Sequence, residues 1–343
     1  MDSFAIYRLP HASHCTLVGQ SGVPSSLSSL RLLDGEQGFV IAPFTVGESS
    51  PVILLHPDCV RQCACDEVMD MDDLALHLDS DNLPARSADR EAYHDDFCRF
   101  HRAFSAFRLQ KLVLARSVDI GHQGTHPIEL FTQACKQHPD AFVTLFSAPQ
   151  CGTWLMATPE VLLAHTNEHW RTMALAGTMP YTETPPQWSE KNLHEQAYVS
   201  QYIKECLNDF CQAVDMKGPY TTRAGNLVHL RTDFSFVLSD DAQVGNLLDA
   251  LHPTPAVCGV PKQDAHRFIL ENESCHRDYY SGFSGPLNMD GETALFVSLR
   301  CMRIFGDRYR LYAGGGILPQ SDEEMEWKET AAKMQAMLSL IER

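Results

Sequence analysis

Apolar positions follow two rhythms along this chain. Phe39 to Phe44 and Val52 to Leu55 are short apolar runs bounded by Gly, Ser and Pro, the pattern of strands. Tyr93, Phe97, Phe100, Phe104 and Phe107 recur every three or four residues, which predicts an amphipathic helix with a core-facing aromatic stripe. The polar stretch 77–96 reads as a surface loop running into that helix. Lys111 to Ile120 alternates like a strand, with Lys111, Val113 and Ala115 on one face and Leu112, Leu114 and Arg116 on the other. A helix at 127–138 leads to strands at 141–147 and 152–157, the apolar run VLLAH after Pro159 and Glu160, and a strand at 170–175. After a Thr/Pro-rich loop, a long helix is predicted from Ser189 to Val214, with Ser189 as N-cap and Glu190 in the first turn. The remainder reads as strands at 227–238, a loop at 252–261, a helix at 262–272, strands at 293–304 and 308–313, and a helix at 322–342. Helices and strands mix without strict βαβ alternation, which predicts an α+β fold with largely antiparallel sheet.

Composition narrows the function. The chain has 343 residues, 44% of them apolar, enough for a sizeable core. Its net charge of −17 disfavours nucleic acid as a partner. No apolar run reaches membrane-spanning length, and the start MDSFAIYRLP lacks the basic and apolar regions of a signal peptide, so the expected location is cytoplasmic. The twelve cysteines are accordingly expected to be reduced thiols.

Pattern alone leaves the chemistry open. His56, Cys59, Cys63 and Cys65 are four potential zinc ligands within ten residues, but their spacing is not that of a finger or ribbon. Gly314, Gly315 and Gly316 follow a strand and fit either a weak anion loop or a tight strand-to-loop turn. On the last helix Glu326, Glu329 or Thr330, and Lys333 share one face, which suits either Mg²⁺ with an anion or a solvated face carrying an ordinary ion pair. Glu195 meets the same ambiguity. Lys111 opens an apolar run, so it is either a desolvated base or a snorkelling surface lysine. His229 within LVHL reads most simply as a core histidine.

Taken in order, KLVLAR (111–116), TPEVLL (158–163), LAGT (175–178), SEKNLHEQ (189–196), HLRT (229–232), LHPTPAVCGVPK (251–262), SLRC (298–301), YAGGGI (312–317) and the terminal SDEEMEWKET with Lys333 resemble the chorismate-utilising enzymes. The resemblance covers about 93–340. It implies one chorismate-binding domain over 1–343, with 93–343 as catalytic core and 1–92 as a scaffold part without motifs. It also implies two orthogonally packed, mainly antiparallel sheets surrounded by helices. Mg²⁺ is the implied cofactor, with Glu195 and Glu326 as ligands and Glu329 holding a metal-bound water. Arg300, Tyr280, Lys333 and the amide around Gly314 would hold the enolpyruvyl carboxylate, and Gly177 would let the backbone come close to the substrate.

Within that family the segment around Ala256 has the isochorismate-synthase form, whereas anthranilate synthases typically place Gln at the position of Lys111 and Thr at that of Ala256. The resemblance then implies that Lys111 takes a proton from water attacking C2, that Glu160 protonates the departing C4 hydroxyl, and that His229 shapes or polarises the site. The product would be isochorismate, used by menaquinone and siderophore pathways alike. Salicylate synthase, aminodeoxychorismate synthase and a non-catalytic chorismate-binding relative are the alternatives; no glutaminase partner is expected, and a monomer is the implied state. Asn192 and Gln196 stand where relatives often carry Asp and His, the LAG motif continues as TMPY where many place an Arg, and Cys258 replaces an expected Gly.

Overall fold

The computed structural model describes residues 1–70, 74–78, 90–106, 108–122, 124–166, 169–240 and 243–342. The N-terminal part supplies strands β1 (Ser3–Arg8), β2 (His14–Gln20), β3 (Ser25–Leu27), β4 (Gly38–Ala42), β5 (Val52–Leu55) and β6 (Cys59–Ala64). Helix α1 (Arg90–Ala106), β7 (Lys111–Gly121), α2 (Pro127–Gln137), β8 (Phe142–Ala148), β9 (Gly152–Thr158), β10 (Val161–Thr166), β11 (His169–Pro180) and α3 (Glu190–Asn208) follow. Next come β12 (Cys211–Ala224), β13 (Leu227–Leu238), α4 (Val244–Leu251), β14 (Gly259–Val260) and α5 (Lys262–Asn272). The chain closes with β15 (Phe283–Leu287), β16 (Thr293–Val297), β17 (Cys301–Ile304), β18 (Arg308–Ile317) and α6 (Glu323–Ile341).

Two nine-stranded sheets result, ordered β14-β7-β18-β17-β9-β8-β1-β2-β6 and β12-β13-β11-β10-β16-β15-β4-β5-β3. Every strand pairing among the described residues is antiparallel. Alternating side chains of both sheets meet between them: Phe146, Trp154 and Tyr312 of the first share one core with Phe39, Ile53 and Phe296 of the second. Phe142 and Phe296 stack with ring centroids 4.3 Å apart. The opposite faces are covered by helices, as apolar sheet faces require: α2 and α6 on the first sheet, α3 and α4 on the second. The aromatic stripe of α1 packs with α5 on Leu112 and Leu114 of β7. Residues 3–64 place strands in both sheets.

Several expectations are corrected. The long helix ends at Asn208, and Cys211–Ala224 is instead an edge strand on β13. Leu207, Cys211 and Val214 continue the helical spacing, while most of β12 is exposed and carries no strand-like apolar alternation. The strand expected at 293–304 is two strands, interrupted where Leu299 N turns back to Val297 O at 2.9 Å and Arg300 adopts φ of 46°. Cys15 and Cys65 form a disulfide, so the thiols are not all reduced. His56, Cys59, Cys63 and Cys65 do not gather their ligand atoms in one place: the sulfur neighbouring the Cys15–Cys65 bridge is that of Cys135. Phe107 and residues 79–89 of the polar stretch lie outside the described residues. Among the described residues no helix is long and apolar enough to cross a membrane.

Candidate active site

A pocket opens where β7 and β18 of one sheet approach β11 and β13 of the other, with α3 and α6 alongside. Its lining includes Glu160, Gly177, Glu195, His229, Ala256, Tyr280, Arg300, Gly314 and Lys333. Lys111 lies behind this lining, 0% exposed, its Nζ 2.9 Å from Glu195 Oε1 yet aligned with no hydrogen-bond acceptor among the described residues. The lysine is therefore buried rather than snorkelling. Burial pushes the Glu195 carboxyl up, but Lys111 and Lys191 outweigh it and hold it below the ordinary carboxylate range. Glu160 sits between β9 and β10 and forms no ion pair among the described residues. Burial raises its carboxyl to about 8, against the pull of Lys111, Lys333 and Arg300.

Glu326 is 1% exposed on the face of α6 that packs against β18. Its Oε1 pairs with Lys191, and its Oε2 is buried with no hydrogen-bond partner among the described residues. Burial and the neighbouring Glu329 raise it to about 7 despite Lys191. Glu329 and Lys333 form an i,i+4 pair at 2.8 Å, and Lys333 Nζ also donates to Gly314 O at 2.8 Å. The face is thus not simply solvated: its first carboxylate is buried and its lysine reaches the sheet.

The three glycines are neither an anion loop nor a turn. They lie inside β18, paired with Ala115, Leu114 and Val113 of β7. A Cβ on Gly316 would stand 2.1 Å from Glu195 Oε1, one on Gly315 3.0 Å from Glu326 Oε2, and one on Gly314 2.8 Å from the Tyr280 hydroxyl. Removing side chains from three successive strand positions makes room for two carboxylates and a phenol. Gly177 lines the pocket and also has a packing role. At φ +69° in a bulge of β11, its missing Cβ would meet Asn192 of α3 at 3.2 Å, so this glycine lets the helix approach the strand.

His229 is held between Arg300 and the Gly177 carbonyl. Arg300 Nη2 donates to its Nε2 at 2.9 Å, which requires the proton on Nδ1, where Gly177 O lies 3.2 Å away. Burial and the cations Arg300 and Lys333 hold this imidazole well below its ordinary range, hence neutral. Arg300 is itself lowered to about 10 by burial. Tyr280 stacks on Tyr312 at 5.3 Å.

A sequence-family model described as chorismate binding enzyme matches residues 66–342. The chain belongs to the chorismate-binding enzyme family. Isochorismate synthase EntC of Escherichia coli (strain K12) is 30% identical over 247 residues, 68% of this chain and 63% of that protein. Isochorismate synthase DhbC of Bacillus subtilis (strain 168) is 33% identical over 197 residues, 54% of this chain and 50% of that protein. The matches thus span less than two thirds of these relatives' own length. The structure of MenF, the menaquinone-specific isochorismate synthase of E. coli, superposes with a TM-score of 0.80 at 23% identity, covering 99% of this chain and 88% of that one; this likeness concerns the fold.

Within this family member, the donor set around Glu195 and Glu326 fits a hard divalent cation. Both carboxylates are buried, one oxygen of Glu326 has no hydrogen-bond partner among the described residues, and two glycines leave the carboxylates room. Gln196 Nε2 donates to Ala174 O and Thr232 Oγ1, tying α3 to the second sheet, while its Oε1 is buried with no hydrogen-bond partner among the described residues. Sequence reasoning missed Lys191, the partner of Glu326. Its signal was present, since Lys191 stands four residues before Glu195 and so on the same helix face. Burial pulls this ammonium down, but Glu326, Glu195 and Glu329 outweigh it and hold it above its ordinary range.

Proposed function

We propose that the protein is an isochorismate synthase, converting chorismate reversibly to isochorismate with Mg²⁺ as cofactor. The observation that carries this reading is the coexistence, around one pocket, of a buried lysine ion-paired to a potential metal ligand and a buried carboxyl raised to about 8. Water attack at C2 with loss of the C4 hydroxyl needs one group to accept a proton and another to deliver one. Lys111 accepts the proton of the attacking water, a role open to it once Glu195 has another counter-ion. Glu160, protonated at neutral pH, gives its proton to the departing hydroxyl, which leaves as water.

Glu195 and Glu326 hold the cation, with Glu329 beside them, and the bound cation supplies the counter-charge that a dianionic substrate needs in a chain of net charge −17. Arg300, oriented by neutral His229, receives the enolpyruvyl carboxylate together with Tyr280, Lys333 and the Gly314 amide. Ala256 leaves the pocket wall apolar where a hydroxyl would otherwise stand.

The test is incubation with chorismate, with and without Mg²⁺ and without ammonia, followed by chromatography and a pyruvate assay. Isochorismate formed only with Mg²⁺ and without pyruvate is expected. Salicylate with stoichiometric pyruvate, or no product, would overturn the assignment.

A further inference from the structure

Strand β7 carries Lys111 and Val113, and its outer neighbour β14 is only two residues long. The ladder between them ends at Gly259 opposite Leu112, and Cys258 O takes the Val113 amide at 2.8 Å. The next two groups along this edge are the Val113 carbonyl and the Ala115 amide. Side chains meet both: Arg277 Nη2 donates to Val113 O at 2.7 Å, and Glu273 Oε1 accepts from Ala115 N at 2.7 Å. Through Nη1 the same guanidinium donates to Val257 O at 2.7 Å, next to Ala256 in the pocket lining.

Two further bonds, from Arg277 Nε to Glu273 Oε2 at 2.6 Å and from Nη2 to Oε1 at 2.7 Å, lock the pair, and both side chains are almost wholly buried. Phe44 closes the remaining side, 4.2 Å from the guanidinium carbon. The pair therefore does the work of a missing strand segment, and a planar fork is needed to reach two carbonyls and a carboxylate at once.

We propose that Glu273 and Arg277 are positioning residues that fix β7, and with it Lys111, against the Ala256–Val257 segment of the pocket. Catalytic geometry is sensitive to displacements of an ångström, so loosening this clamp lowers turnover without removing any group that touches substrate. The inference rests on the reading of Lys111 as the base.

The test compares wild type with Arg277→Lys, which keeps the charge and loses the fork, measuring chorismate turnover and amide hydrogen exchange on the same preparations. The expected result is a kcat about 10-fold or more lower with KM changed less than about 3-fold, together with faster exchange in both 111–115 and 256–258. A kcat within about 2-fold of wild type despite loosened amides overturns the proposal, as does loosening of only one segment or of neither. Exchange needs no substrate, so a wild-type protein inert toward chorismate counts against the functional reading while the exchange comparison still decides the clamp. Should Arg277→Lys fail to fold, the double variant Glu273→Met with Arg277→Met removes both charges together and is read in the same way.

Discussion

Lys111 and Glu195 meet at 2.9 Å although 84 positions separate them in the chain, and both are buried. The pair joins the start of β7 to the second turn of α3, and it forms because Gly316 of β18 leaves the carboxylate room. Lys111→Ala should abolish measurable turnover, a loss of about 10²-fold or more for a group that moves a proton. It should also cost about 3 kcal/mol of stability in metal-free buffer, because Glu195 loses a partner it cannot replace with water. Divalent cation should restore part of that loss. Product analysis and melting curves with and without Mg²⁺ check both parts, and normal turnover in the variant would remove Lys111 from the mechanism.

Glu160→Gln separates charge from shape. With its carboxyl raised from 4.5 to about 8, folded wild type holds a proton that the unfolded chain releases. Wild-type stability contributed at this position is therefore present at low pH and lost as pH rises between those values, by on the order of 1.4 kcal/mol per unit of pH. The glutamine variant lacks this slope. Denaturant unfolding across that pH window should show the variant gaining on wild type as pH rises, while its turnover is lost. Wild-type turnover should fall as pH passes about 8, where the acid loses its proton.

Much of the fold was legible because its signals are local. Helices α1, α2, α5 and α6 match the expected spans closely, since an apolar stripe at helical spacing is written within a few turns. Strand β12 was not legible, because exposed edge residues such as Thr221 and Arg223 need no apolar alternation. Helix α4, only eight residues long, gives too few turns for a period to show. The site residues were named through ordered motifs, but their pairings were not. That Gly315 and Gly316 are bare for the sake of Glu326 and Glu195 depends on α3, α6 and β18 converging, which no single window of sequence contains.

Gly316→Ala tests that convergence. The backbone conformation tolerates alanine, so β18 should keep its pairing, but the new methyl would overlap Glu195 Oε1. The carboxylate must swing away, and divalent-cation affinity should fall by about 10-fold or more, the scale seen when ligand orientation is disturbed. Titration calorimetry with Mg²⁺ reads this directly. Unchanged affinity in a folded variant would mean that Glu195 is not a ligand.

Lys191 tests the same centre from the opposite side. Its ammonium is the only one paired with Glu326 among the described residues, and the second oxygen of that carboxylate is buried without a partner. A cation that binds Glu326 must compete with Lys191. Lys191→Met removes the competitor and leaves a buried carboxyl beside Glu195 and Glu329, whose mutual repulsion a bound cation or a proton relieves, so the comparison is made above neutral pH, where Glu326 is charged. The variant should melt lower than wild type in chelator and respond more steeply to Mg²⁺, since stabilisation grows by about 2.7 kcal/mol once the cation reaches 100 times its dissociation constant. Melting temperatures recorded against Mg²⁺ concentration give both quantities. A weaker Mg²⁺ response than wild type would show that Lys191 supports cation binding instead of opposing it.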